Sequence, residues 1–204
     1  DGCVFRFGAY RPAACLHATP PDGLEAAWLR SPRSGPRIYV TFGTVFNRSV
    51  ALLAAARAAA GFGGTVVVTV GADGNLARFA GLGAHVHVHR FVDQAALLPQ
   101  CDIVISHGGA GTLLGAAANG VPHLVLPQGA DHFRNGRALV GAGAGRMLSP
   151  ECQTAAAVRT ALAEVLSDGS IELGAKLLAR EMAALPHASV AAALLERWAS
   201  NDRR

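Results

Sequence analysis

Short apolar runs rich in Val and Ile alternate along this chain with longer stretches in which Ala and Leu recur at three- and four-residue spacing. The run 38–42 leads into Gly43-Thr44 and then into 49–60, the order of a strand, a glycine turn and a helix. The same alternation predicts strands over 65–70, 84–89, 102–106, 123–126 and 146–148. It predicts helices over 94–99, 111–119, 133–140, 154–166, 171–184 and 188–199. Strands apolar on both sides must be covered on both faces, and helices between successive strands favour parallel pairing. The expected fold class is therefore α/β: a Rossmann-like doubly wound parallel sheet whose ligands lie outside the carboxyl ends of its strands.

Residues 1–36 break the pattern. Pro12, Pro20, Pro21, Pro32 and Pro36 interrupt them, which predicts a linker with one possible extra strand near 3–7, ahead of a single domain over 37–204. A chain of 204 residues has room for one full core. With 51% hydrophobic and 16% charged residues it is not expected to be disordered, and no apolar run is long and charge-free enough to span a bilayer.

The formal charge of +4 is spread over arginines rather than gathered in one block. That favours small anionic ligands over nucleic acid. Cys3, Cys15, Cys101 and Cys152 form no Cys-x-x-Cys pair and the first residues carry no signal-peptide pattern, so a cytoplasmic setting is expected. His85, His87 and His89 share one face of a strand but converge on an ion only if that strand bends. They are expected to line an exposed or edge-strand face rather than a metal site. Trp28 and Trp198 are expected to be core residues.

The densest candidate chemistry is Ser106-His107-Gly108-Gly109-Ala110-Gly111-Thr112, placed between an apolar strand and a helix. Glycines let backbone approach a ligand, and the free N–H groups at a helix start attract phosphate. Thr112 and His107 would add a hydroxyl and an imidazole donor. The structural alternative is a tight turn whose glycines serve packing alone. A second segment, Gly120 through Asn135, places Asp131, His132 and Asn135 just past the end of the next strand, beside this cradle.

Over 102–135 the sequence resembles the C-terminal signature of nucleotide-sugar glycosyltransferases of the UDP-glucuronosyl and macrolide-glycosyltransferase superfamily. Tyr39-Val40-Thr41-Phe42-Gly43-Thr44 resembles that family's first strand and turn, and Phe91-Val92-Asp93-Gln94 its base-binding element. The resemblance implies the C-terminal, donor-binding half of a GT-B fold, whose terminal helix crosses back to the other domain and would leave part of the apolar face over 188–199 exposed here. It implies that Phe91 stacks on the base while the backbone of Val92 pairs with the base edge. His107, Gly109, Ala110, Gly111, Thr112 and Thr44 would bind the diphosphate, with His107 stabilising the leaving group, and Asp131 and His132 would reach sugar hydroxyls.

Three positions depart from the family. Gly115 stands where many members have a Glu that holds both ribose hydroxyls, leaving room for a deoxythymidine donor. Asp131-His132 replaces an Asp-Gln pair, so sugar preference does not carry over. Asp93 replaces a Pro and is assigned no role. No Asp-x-Asp occurs, so neither a metal nor another cofactor is implied.

The implied activity is that of an inverting hexosyltransferase moving sugar from a dTDP- or UDP-sugar to a hydroxyl of a small-molecule natural product. Ala-rich, Arg-over-Lys usage points to a bacterial source and secondary metabolism such as antibiotic biosynthesis. The family's general base is a histidine of an N-terminal domain with no counterpart in these residues. The stretch alone is therefore expected to carry no catalytic residue, and to bind donor with little or no turnover. Two alternatives stay open: a non-catalytic nucleotide-sugar-binding module or scaffold subunit, and an epimerase or lipid-linked transferase of the same fold.

Overall fold

The computed structural model describes residues 33–186 and 188–201. The expected strand near 3–7, Trp28 and most of the expected linker lie outside the described residues. The end of that stretch is docked: Pro36 O accepts from the Thr65 amide at 3.0 Å, and Arg33 pairs with Asp102 at 2.9 Å.

Among the described residues six strands form one sheet: β1 (Arg37–Thr41), β2 (Thr65–Thr69), β3 (Val86–His89), β4 (Ile103–Ser106), β5 (His123–Val125) and β6 (Gly145–Met147). All five pairings are parallel and the order is β3-β2-β1-β4-β5-β6. Between and after them run α1 (Val50–Ala60), α2 (Gln94–Leu97), α3 (Ala110–Ala118), α4 (His132–Gly141), α5 (Ala155–Ser167), α6 (Gly169–Ala184) and α7 (Ala188–Asn201).

The two-residue alternation of each strand divides the core. Ile38, Val40, Val66, Val68, Ile103, Ile105 and Leu124 pack with α1 and α5 on one face. Tyr39, Val67 and Val104 meet Leu97, Leu98 and Ala116 on the other, where Val125 joins Leu113, Leu139 and Ala175. The alanines of α1 let that helix approach the sheet closely, and Ser49 caps it by accepting from the Ala51 amide. Thr154 and Asp168 cap α5 and α6 in the same way.

Three features differ from the sequence expectation. β3 starts at Val86 rather than at 84, because a turn at Gly83 takes the Val86 amide. Single 3₁₀ turns at Leu76–Phe79 and Pro150–Cys152 are too short to leave a periodic trace. Trp198 is 68% exposed on α7, so it is not a core residue. Gly141 through Ala144 form a helix end and turn that lead into β6 at Gly145, with the Gly143 amide bonded to Val140 O at 2.9 Å. Among the described residues no helix is long and apolar enough to cross a membrane.

Candidate functional site

In a sheet of this order the chain reverses its direction of travel between β1 and β4, so the loops leaving these two strands part and open a crevice at their carboxyl ends. His107, the first residue after β4, stands at that point. A Cβ on Gly109 would lie 2.5 Å from His107 Nε2, and one on Gly43, whose φ is +65°, would lie 3.3 Å from it. The imidazole is thus seated in a slot that only glycines leave open on both sides. Its ring lies 6.0 Å from Phe42, 5.8 Å from Phe46 and 4.4 Å, edge-on, from His132. Burial pushes its pKa down to about 4 and neighbouring His132 pushes the same way, against the Thr41 backbone and the Asp131 carboxylate. Near neutrality His107 is an uncharged ring with one N–H to donate.

Behind His107, α3 begins at Ala110 with Gly109 as a cap that supplies no side-chain acceptor. The amides of its first turn therefore have no side-chain acceptor at the cap, and with the positive end of the helix behind them they suit an anion. Ala110 and Gly111 are exposed there, whereas Thr112 is buried, so the backbone part of the expected cradle is open and the Thr112 side chain is not. Thr44, on the loop beyond Gly43, is exposed.

Asp131 lies at the start of α4 and accepts from Asn135 Nδ2 at 2.8 Å, a bond that holds its carboxyl below the usual range. The chain enters this helix through Ala130 at φ 50°, a conformation that costs a residue with a Cβ about 1 kcal/mol. His132 does not lie open beside Asp131. It is 3% exposed, Phe46 meets its ring edge-on at 4.9 Å, and its Nδ1 accepts from the Gln128 amide at 3.3 Å. The proton of neutral His132 is therefore on Nε2.

Phe91 is 53% exposed just beyond β3, with Val92 packed against the core below it. Asp93, given no role from the sequence, caps α2 by accepting from the Ala95 amide at 2.9 Å. Three strand spacings, roughly 4.8 Å each, separate β3 from β4. One ligand reaches both Phe91 and His107 only by lying along the carboxyl edge. Gly115 is buried within α3, and a Cβ there would stand 3.0 Å from Leu98 Cδ1, so this position is a close helix contact.

Several site-shaping residues gave no signal in the sequence. Phe46 shields both imidazoles. Ser49 Oγ donates to Gln128 Oε1 and Gln128 Nε2 to Gln153 Oε1, both at 2.6 Å, joining the segments beyond β1, β5 and β6. A buried hydroxyl chain links the two ends of the site: Gln94 donates to Tyr39 at 3.0 Å, Tyr39 lies 3.1 Å from Thr69, Thr69 donates to Thr41 at 2.7 Å, and the Gly43 amide donates to Thr41 at 3.3 Å. Of the strand histidines, His85 precedes β3 and bonds Ala60 O at 3.0 Å, while burial lowers the pKa of half-buried His87 and His89. Among the described residues no group of three His, Cys, Asp or Glu could hold a metal ion.

A model of the erythromycin biosynthesis protein CIII-like C-terminal domain matches residues 53–197. The chain belongs to that family. This EryCIII-like domain is 34% identical to the TDP-daunosamine transferase DnrS of Streptomyces peucetius, over 97% of this chain and 48% of the relative. It is 36% identical to the elloramycin glycosyltransferase ElmGT of Streptomyces olivaceus, over 96% and 48%. The solved spinosyn rhamnosyltransferase SpnG is 31% identical with a TM-score of 0.80, over 93% of this chain and 50% of that one. The glycosyltransferase VinC, solved in complex with dTDP, is 29% identical with a TM-score of 0.75, over 86% and 44%. The EryCIII-like domain thus has the fold of the C-terminal half of GT-B glycosyltransferases, and it spans about half the length of the curated relatives it matches.

Proposed function

We propose that this EryCIII-like domain is the donor-binding half of an inverting glycosyltransferase that moves a sugar from a dTDP- or UDP-sugar to a hydroxyl of a small-molecule natural product. The observation that carries the reading is the glycine-seated, neutral His107 beside the uncapped start of α3, with exposed Phe91 on the same edge of the sheet. The base stacks on Phe91 and meets the backbone of Val92. The diphosphate lies against His107 and the amides from Gly109 to Thr112, with Thr44 opposite, and the sugar extends towards Asp131 and His132.

As the sugar–phosphate bond breaks, negative charge gathers on the departing diphosphate. Fixed amides, the helix end and the His107 N–H stabilise it without a cofactor or metal ion in this reading. Gly115 packed against Leu98 offers no carboxylate to a ribose, which suits a deoxynucleoside donor. The names of DnrS, a TDP-sugar transferase, and of SpnG solved with thymidine diphosphate support the same donor. The acceptor and its general base belong to the other half of a protein of the relatives' length. Free Cys101 and Cys152 suit a reducing cytoplasm.

Calorimetric titration with dTDP, UDP, ADP and NAD tests the reading. Saturable binding of dTDP or UDP, weakened about tenfold or more by His107→Ala, is the expected result. Binding of none of them, or equal affinity in the variant, would overturn it.

A further inference from the structure

Directly beneath the cradle lies a buried polar pair that the donor reading leaves unused. His123, on β5, and Ser106, the last residue of β4, are both 0% exposed. His123 Nε2 lies 2.7 Å from Ser106 Oγ, and that oxygen accepts from the Gly108 amide at 3.0 Å. His123 Nδ1 is also buried, with no hydrogen-bond partner among the described residues. Two polar side chains, one with an unpaired nitrogen, are an expensive filling for the centre of an apolar sheet.

Gly108 is held on its other side too. Asn135 Nδ2 donates to Gly108 O at 3.0 Å and to the Asp131 carboxylate at 2.8 Å. Gly108 has φ +89°, and a Cβ on it would lie 2.8 Å from Val125 Cγ1, so only a glycine fits between this turn and β5. Ser106 therefore restrains the N–H of this residue and Asn135 its C=O, one residue before the cap of α3.

We propose that Ser106 and His123 are positioning residues that, with Asn135, clamp Gly108 and so set the aim of the Gly109–Thr112 amides and of His107. His123 acts through Ser106: in either neutral tautomer its Nε2 bonds the hydroxyl and fixes the rotamer that receives the Gly108 amide. This inference rests on the donor-site reading for its effect on ligand, but not for its effect on the loop.

The test combines amide hydrogen exchange at Gly108 with dTDP and UDP titration of the whole chain, and thermal unfolding as a check on folding. Ser106→Ala and His123→Leu are each expected to speed Gly108 exchange and weaken nucleotide binding about five- to tenfold, the worth of one buried hydrogen bond. His123→Gln, whose amide can still bond the hydroxyl, is expected to restore both to within about twofold of wild type. Asn135→Ala should loosen the same residue without touching the buried pair, and should add little to Ser106→Ala, since both release one clamp.

Unchanged Gly108 exchange in Ser106→Ala and His123→Leu would overturn the proposal. So would a failure of His123→Gln to restore binding while it folds as well as wild type. If the wild-type chain binds neither nucleotide but Gly108 exchange still responds, the clamp is supported and the donor-site reading is what fails.

Discussion

His107 and its two glycines show how one side chain dictates its surroundings. The residues on both sides of the ring are glycines that a Cβ would press against it, so the glycines that read as a phosphate loop serve packing around His107 as well. Phe91 is the opposite case, a ring exposed enough that the fold gains little from it. Phe91→Ala is accordingly expected to cost about 1–3 kcal/mol of nucleotide affinity, as loss of a base–aromatic stack does, while the thermal midpoint stays unchanged. Calorimetry and thermal unfolding of the same variant check both halves. Phe91 and His107 stand out in the sequence because both fall in segments that resemble the family, Phe91 two residues past β3 and His107 directly after β4. Phe46 does not, because its loop carries no period. Ser106 and His123 meet across 17 residues only through strand pairing, and the burial of Thr112 and His132 leaves no trace in the sequence because position along the chain does not report depth.

At the scale of elements, β1 does more than fill the core. Its alternation sends Ile38 and Val40 to one face and Tyr39 to the other, where the phenol enters the hydroxyl chain between Gln94 and Gly43. Tyr39→Phe keeps the ring volume but strands Thr69 and Gln94. It should lower stability by about 1–2 kcal/mol, seen as a lower urea midpoint at unchanged slope. Helix α6 makes a second point, because Gly174 lets it touch the turn after α4: a Cβ there would lie 2.2 Å from Gly143 O. Gly174→Ala, which in an open helix would stabilise, is expected to destabilise by about 1–3 kcal/mol through overpacking, again measured by urea unfolding. The existence and type of these elements were legible because their periods are long and clean. The start of β3 and the 3₁₀ turns were not, since local hydrogen bonds rather than hydrophobic spacing set them.

For the molecule as a whole, alternation of strand and helix implied a parallel sheet, but the order β3-β2-β1-β4-β5-β6 is a property of crossovers that no local pattern encodes. That order buries His123 completely and His107 nearly so, and burial holds their pKa values at about 3 and about 4. An unfolded histidine titrates near ~6.5. The folded chain therefore binds fewer protons than the unfolded one below that pH. This contribution to stability is complete above about 6.5 and is lost as pH falls towards 4 and 3. His123, with no exposed surface, can account for up to about 1.4 kcal/mol per pH unit in that window, and His107 adds a smaller, solvent-screened part in the same direction. Asp131, Glu151 and Asp168, whose carboxyls are held below their usual range, add their own losses only at lower pH. Between pH 6.5 and about 4.5 the histidines thus dominate. Urea midpoints measured across this window should fall steadily for the wild type and distinctly less steeply for His123→Gln, which removes the titrating group while keeping a partner for Ser106. Equal slopes would mean that His123 titrates in the fold much as it does in the unfolded chain, and that its complete burial does not hold the ring neutral.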